Sequence, residues 1–369
     1  VRVSWDQVFA WRLRRQFVAL RGDADAVAVA DRLCGVQAQV ASAAETAVAL
    51  RHSSAAPGGV AAALGAGRLV KTWAMRGTLH AMTPPFAAAA LSLLASARTW
   101  EKPSWQKNFG ASPAEVAALA DAVGAVLDGR ALSRAELVAE LLADPRWHRL
   151  GAELGSGWGA LLKPLAWQGV LCHGPLRGTT VTFARPADLL PDWPGLPDPA
   201  DAGPRVLAAY LRAHGPATED AFTAWLARGA HPKKTVRQWF SALGPDLTEV
   251  DVEGRRAWCH TADADTLATT TPTDSVHLLG PFDQYLLAPG TADTALLPAA
   301  HRPAISRTAG WISPLVLVRG RIAGTWEVTD TTLTATLFDG ARPDQDALRE
   351  EATHVARALG VPSLTVKIA

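Results

Sequence analysis

Three times in succession this sequence places helical segments before two short strands and a tight turn, and that internal repeat limits the possible folds more than any other feature. In the first copy Val3, Val8, Phe9, Trp11, Leu13 and Phe17 recur near helical spacing, which predicts a helix over residues 3–20. A second helix, 25–34, starts at the acidic cap Asp23/Asp25 and turns Ala26, Val29, Ala30 and Leu33 inward. Residues 43–52 and 59–66 read as two shorter helices. The period then changes: 69–75 and 78–82 read as strands about the turn Arg76-Gly77. In the second copy Ser112-Pro113 opens a helix with proline at its first position, and Ser133 with Glu136 forms a capping box. A third helix, 157–168, precedes a hairpin of 170–173 and 179–184. Beyond a proline-rich linker at 186–204 come helices 205–214, 218–228 and 233–243, then strands 247–252 and 256–261 around Glu253-Gly254.

Helices followed by a small hairpin is the order of a winged helix-turn-helix, so the expectation is an α+β chain with three tandem winged units, 1–110, 111–190 and 191–270. From about Ser275 the helices largely stop. Strands at 277–279, 285–287, 315–319, 321–328, 331–338 and 363–368, with one helix near 344–359, predict a small antiparallel, barrel-like C-terminal domain over 271–369. A chain of 369 residues can bury cores for two or three such domains.

Composition narrows the function classes. No apolar run approaches the roughly 20 residues of a membrane span, and Arg2, Asp6, Arg12, Arg14 and Arg15 interrupt every candidate signal-peptide core. A cytoplasmic, nucleoid-associated monomer without a membrane partner is expected. Cys34, Cys172 and Cys259 are odd in number and far apart, which argues against a disulfide framework, a zinc site and an iron–sulfur cluster, so no metal and no cofactor are expected. The net charge of +1 does not announce a nucleic-acid partner. Basic residues nevertheless cluster at 12–15, 68–76 and 233–237, enough to make one positive face. Arg68, Lys71, Arg76, Arg177, Lys233, Lys234 and Arg237 are the candidates for contact with DNA phosphates; each is equally readable as solvated surface.

Gln37-Ala38-Gln39 lies between Val36 and Val40 and alternates polar with apolar. On a helix, positions i and i+2 diverge by about 200°, whereas an extended backbone puts them on one face. The glutamines can act together only off a helix, and Gly35 makes a break there plausible. By residue type the pair could cap backbone groups, read adenine edges, or polarise a water.

With Gln37-Ala38-Gln39 go Trp-Ala-Met-Arg-Gly-Thr-Leu-His at 73–80, Leu-Gly-Pro-Phe-Asp-Gln-Tyr-Leu-Leu at 279–287, and the opening Trp-Asp-Gln-Val-Phe-Ala-Trp-Arg-Leu-Arg-Arg at 5–15. Through these segments the chain resembles the AlkZ family of bulky-lesion DNA glycosylases over essentially its whole length. The resemblance implies tandem winged helices carrying a Gln–aliphatic–Gln catalytic motif, with Gln37 and Gln39 as the pair. It also implies double-stranded DNA with bulky alkyl adducts or interstrand cross-links as substrate, and a role in self-resistance to an azinomycin-like antibiotic.

The chemistry is consistent with that transfer. An N7-alkylated purine is cationic and already a good leaving group, so an enzyme need only stabilise oxocarbenium character and place a water at C1′. Carboxamides do not titrate but can hold that water, which is positioning catalysis. Unmodified purines should be poor substrates, and a bulky adduct resists being flipped into a snug pocket, so attack from one groove is expected. Asp31, Glu45 and His80 are further polar candidates, with His80 read first as a structural, hydrogen-bonded histidine. Lys71 is the lysine nearest the motif for Schiff-base chemistry, which is set aside in favour of a monofunctional enzyme. Trp73, Trp100, Trp105 and Trp158 are core residues or stacking platforms. Two other classes stay open: a winged-helix DNA-binding regulator responding to the drug, and a protein that sequesters it.

Overall fold

The computed structural model describes all 369 residues, arranged as three sheets wrapped by helices. The chain begins with a strand rather than a helix: Arg2–Val3 pairs in parallel with Asp251 and Val252. Ser4 then caps a helix over Trp5–Arg15, with Gln7 returning the hydrogen bond in a capping box, so the helix expected from residue 3 starts later. It also ends earlier, because Phe17 takes a left-handed backbone with φ 58°. The opening strand makes a three-stranded sheet with the hairpin Leu247–Val252 and Arg255–His260. Trp5–Arg15 consequently buries Val8 and Trp11 against Val250, Val252 and Leu267, and Phe9 and Leu13 against Leu279, Tyr285 and Leu315.

The first two hairpins share one six-stranded sheet, ordered Val36–Gln37, Leu79–Met82, Val70–Trp73, Cys172–His173, Thr182–Ala184, Leu132–Ser133. The join is the pairing of Lys71 with His173. Helices Ala26–Arg32, Ala41–Ala49 and Gly59–Gly65 surround its first edge. Pro113–Val126 and Arg134–Leu142 begin at the expected Ser112 and Ser133 capping boxes. Pro84–Ser96 is a helix that the periodic pattern concealed. Its run of alanines and leucines has no polar stripe because Ala87 to Leu94 are all buried, and a helix apolar all round gives no amphipathic signal.

Pro84–Ser96 packs on Pro199–His214, which starts inside the stretch expected to be a linker. Pro199 sits at the first helical position, where its missing N–H costs nothing. Glu219–Ala227, capped by Thr218, and Lys233–Leu243 follow, then the third hairpin.

In the C-terminal region Val276–Leu279, Leu315–Val318, Arg321–Thr329 and Thr332–Leu337 form an antiparallel sheet. Thr365–Ile368 joins its edge in parallel after a crossover through the helix Gln345–Leu359, as a parallel connection requires. The end strands do not pair with each other, so the sheet is an open half-barrel.

Residues 284–287 are helical, not the expected strand, because Asp283 caps them by accepting the Tyr285 N–H at 2.8 Å. The same carboxylate is fully buried against fully buried Arg51, whose Nη1 and Nη2 donate to it at 2.7 and 2.8 Å. Arg51 also donates to the carbonyls of Gln16 and Ala47. Asp283→Ala strands that guanidinium in the interior and should destabilise the protein by about 3–5 kcal/mol, read from the midpoint of urea unfolding.

Candidate active site

The glutamine segment is extended because the chain turns sharply just before it. After the helix Ala26–Arg32, Cys34 and Gly35 both take positive φ, 58° and 95°. A Cβ on Gly35 would sit 2.6 Å from Met82 Cγ, so glycine is needed for the close approach as well as for the turn. Val36–Gln37 then pairs antiparallel with Leu79–Met82, and the Ala38 N–H extends the ladder to the Leu79 carbonyl at 2.8 Å.

Gln37 lies opposite His80, and His80 lies opposite Thr72 on the next strand. Directly opposed residues share a sheet face with Cβ atoms about 4.5–5.5 Å apart, so the three side chains form a row. Gln37 is 8% exposed, and His80 and Thr72 are fully buried. Each has an enclosed polar atom without a protein partner: Gln37 Oε1, His80 Nε2 and Thr72 Oγ1.

His80 Nδ1 lies 3.0 Å from the Thr78 carbonyl, which can only accept, so Nδ1 carries the proton and Nε2 is a bare acceptor. Burial, reinforced by the Arg76 charge and only partly offset by Thr78, pushes the imidazole down to about 3. Gln39, two residues along the chain from Gln37 and just past the strand, is exposed, and its Oε1 accepts the Leu79 N–H at 3.3 Å, which leaves its amide nitrogen free. Neither carboxamide titrates, and the histidine beside them is held neutral. The row can orient and polarise a water but cannot deliver a proton to a leaving base near neutral pH.

Other sequence-selected residues take different places. Glu45 accepts the N–H groups of Gly58, Val60 and Ala61 at the start of Gly59–Gly65, a capping role. Asp31 accepts from the Thr83 hydroxyl. Lys71 alternates to the sheet face opposite Thr72 and His80 and is half-buried, which lowers its ammonium. Arg76 is not a surface cation: its Nη1 donates to the Leu287 carbonyl at 3.0 Å, and burial, then Arg228, lowers the guanidinium to about 10.

Arg68 pairs with Asp25 at 2.7 Å, Arg177 with Glu136, and Arg237 with Glu219 at 3.7 Å. Lys233 and Lys234 are exposed, without an ion pair, in the first turn of Lys233–Leu243. Trp73 and Trp100 are core residues. Thr72, absent from the sequence-based candidates, joins the row through strand register, which residue spacing does not encode.

A family model described as DNA glycosylase AlkZ-like matches residues 30–358. The chain belongs to the AlkZ-like DNA glycosylases. A Streptomyces sahachiroi protein named interstrand DNA cross-link repair glycosylase is 50% identical over 370 residues, covering all of both chains. The solved structure of Streptomyces sahachiroi DNA glycosylase AlkZ matches with a TM-score of 0.98 and 49% identity, again over the whole of both chains. This glycosylase therefore acts on DNA through a full-length scaffold of the AlkZ-like type.

Buried neutral histidines give its stability a pH dependence. His80, His173 and His214 are each pushed from 6.5 to about 3, chiefly by burial. The unfolded chain takes up protons first, so stability is fully present above about 6.5 and is lost as pH falls toward 3. The urea midpoint should drop steadily from pH 7 to pH 4.5; an unchanged midpoint would mean these rings are not held neutral.

Proposed function

We propose that this glycosylase hydrolyses the N-glycosidic bond of bulky, cationic N7-alkylpurines and unhooks interstrand cross-links, with Gln37 and Gln39 as its catalytic pair. The observation that carries the proposal is the row of non-titrating groups, with the Gln37 carbonyl enclosed beside neutral His80 and the Gln39 amide exposed two residues further along the chain.

Gln37 Oε1 accepts a hydrogen bond from the attacking water, in surroundings where few water molecules compete for it. Gln39, its oxygen engaged by Leu79, donates from Nε2 to the same water or to the sugar oxygen. The new C1′–O bond forms as C1′–N9 breaks. The bonding pair passes into the purine, whose positive charge it neutralises, and the water's proton leaves to solvent. A neutral purine would depart as an anion with no nearby acid to protonate it, which explains the need for a charged lesion. Lys71 faces away from this row, which supports hydrolysis without a Schiff base.

The helix–hairpin segments act as three winged units around a duplex bound by one protein monomer. Lys233 and Lys234 at the start of their helix and Arg177 in its hairpin loop contact phosphate, with Arg68 and Arg237 as further cations. The 50% identical relative is named for cross-link repair, which supports the same substrate here and, with it, protection against a cross-linking antibiotic.

Gln37→Ala and Gln39→Ala should each slow release of N7-alkylpurine from a defined duplex by about 10²–10³ in kcat, the scale of losing one positioned polar group. Chromatography of the released base checks this, and duplex affinity should be retained. Normal rates in both variants would remove the catalytic assignment. Lys233→Gln with Lys234→Gln should weaken duplex binding and shallow the log–log salt slope by about two, measured by fluorescence anisotropy across salt concentration.

A further inference from the structure

The turn Met75–Gly77, between the two strands that carry Thr72 and His80, also forms one wall of a cavity of about 550 Å³. Its other walls come from Lys102 and Trp105 later in the first segment, from Trp158 and Lys163 in the second, and from Arg228 and Gly229 in the third. Lys163 and Trp167 reach the turn, lying 3.9 Å from where a Cβ on Gly77 would stand. Four cations line the space, Arg76, Lys102, Lys163 and Arg228, and no carboxylate does. Burial, then the neighbouring Arg228 charge, lowers the Lys163 ammonium, so these cations repel one another without a counter-charge.

Aromatic surface accompanies them. Trp105 and Trp167 line the cavity, and Trp158 at its rim is 78% exposed, the most exposed large apolar side chain of the protein. An indole with its face in water is unusual unless something covers it. Three lining residues hold buried polar atoms without a protein partner: Arg76 Nη2, Trp167 Nε1 and Thr99 Oγ1. The first two are obligate donors, and the third can donate. The cations and the exposed indole of the cavity therefore ask for a planar group carrying negative charge.

We propose that this cavity binds an unpaired nucleotide of the DNA, with its base stacked on Trp158, its acceptor edge toward Arg76 and Trp167, and its phosphate between Lys163 and Arg228. The volume falls in the range of small-ligand pockets, roughly 300–1,000 Å³, and stacking on indoles tolerates any base. Four uncompensated cations would repel a cationic N7-alkylpurine, so the cavity does not receive the lesion base. It takes an unmodified nucleotide of normal charge, displaced from the stack beside the damage.

The test uses the full-length protein and dAMP as the probe. Its 14 tryptophans give a countable set of indole N–H resonances, assigned at Trp158 and Trp167 by Trp158→Phe and Trp167→Phe. Addition of dAMP should shift those two resonances. Deoxyadenosine, which lacks the phosphate, and the variant Lys163→Gln with dAMP should each bind about tenfold more weakly, the effect of losing one charge-assisted contact. Trp158→Ala, at an exposed position, should keep the wild-type unfolding midpoint and lose the response of Trp167. The proposal is overturned if dAMP leaves both resonances unmoved, if deoxyadenosine titrates like dAMP, or if Lys163→Gln binds dAMP as the wild type does.

Discussion

The buried ion pair of Arg51 and Asp283 is the contact on which the arrangement of the active site depends. Arg51 stands just beyond the helix Ala41–Ala49, which begins two residues after Gln39, and Asp283 lies in the segment that leads out of the C-terminal sheet. Through Gln16 the same guanidinium also holds the end of the first helix. Removing two charges from water is expensive, and an apolar replacement of both could be as stable. A bidentate pair, however, fixes distance and angle between the segments it joins, which apolar packing does less sharply. Arg76 makes a second tie, a single hydrogen bond from the hairpin turn beside His80 to the carbonyl that ends Gln284–Leu287. The glutamine strand is thus held from both sides by contacts to the same short C-terminal helix.

That rigidity suits a site whose side chains do not take or give protons. Catalysis by carboxamides, as proposed for Gln37 and Gln39, would have only geometry and fixed dipoles to work with, so small displacements would matter more than for a general base. Burial of His80 fits the proposed mechanism: an imidazolium in the row would set a positive charge beside the oxocarbenium ion and cationic base proposed there. The strand register that seats His80 between Gln37 and Thr72 excludes that charge.

Much of the architecture was legible because its signals are local. Ser112 and Ser133 cap the helices they were expected to cap, and Lys233–Leu243 falls on the expected residues, since caps and amphipathic stripes are properties of a few neighbouring side chains. Pro84–Ser96 was hidden for the opposite reason, being buried on every side. The N-terminal strand depends on a partner some 250 residues away in Asp251, and no window on the sequence contains that partner.

The sequence by itself made a non-helical backbone plausible at Gln37 and Gln39, because alternation and Gly35 are written in adjacent residues. It also determined the order of helices and hairpins, and so the kind of scaffold. Tertiary structure alone decided which residues stand beside the glutamines, since register across three strands places His80 and Thr72 there and turns Lys71 away. It likewise decided that Arg76 is an internal tie, while cations from three distant segments gather around one aromatic cavity. Charge and spacing along a chain carry no record of burial or of which faces meet; those are set when the whole chain packs.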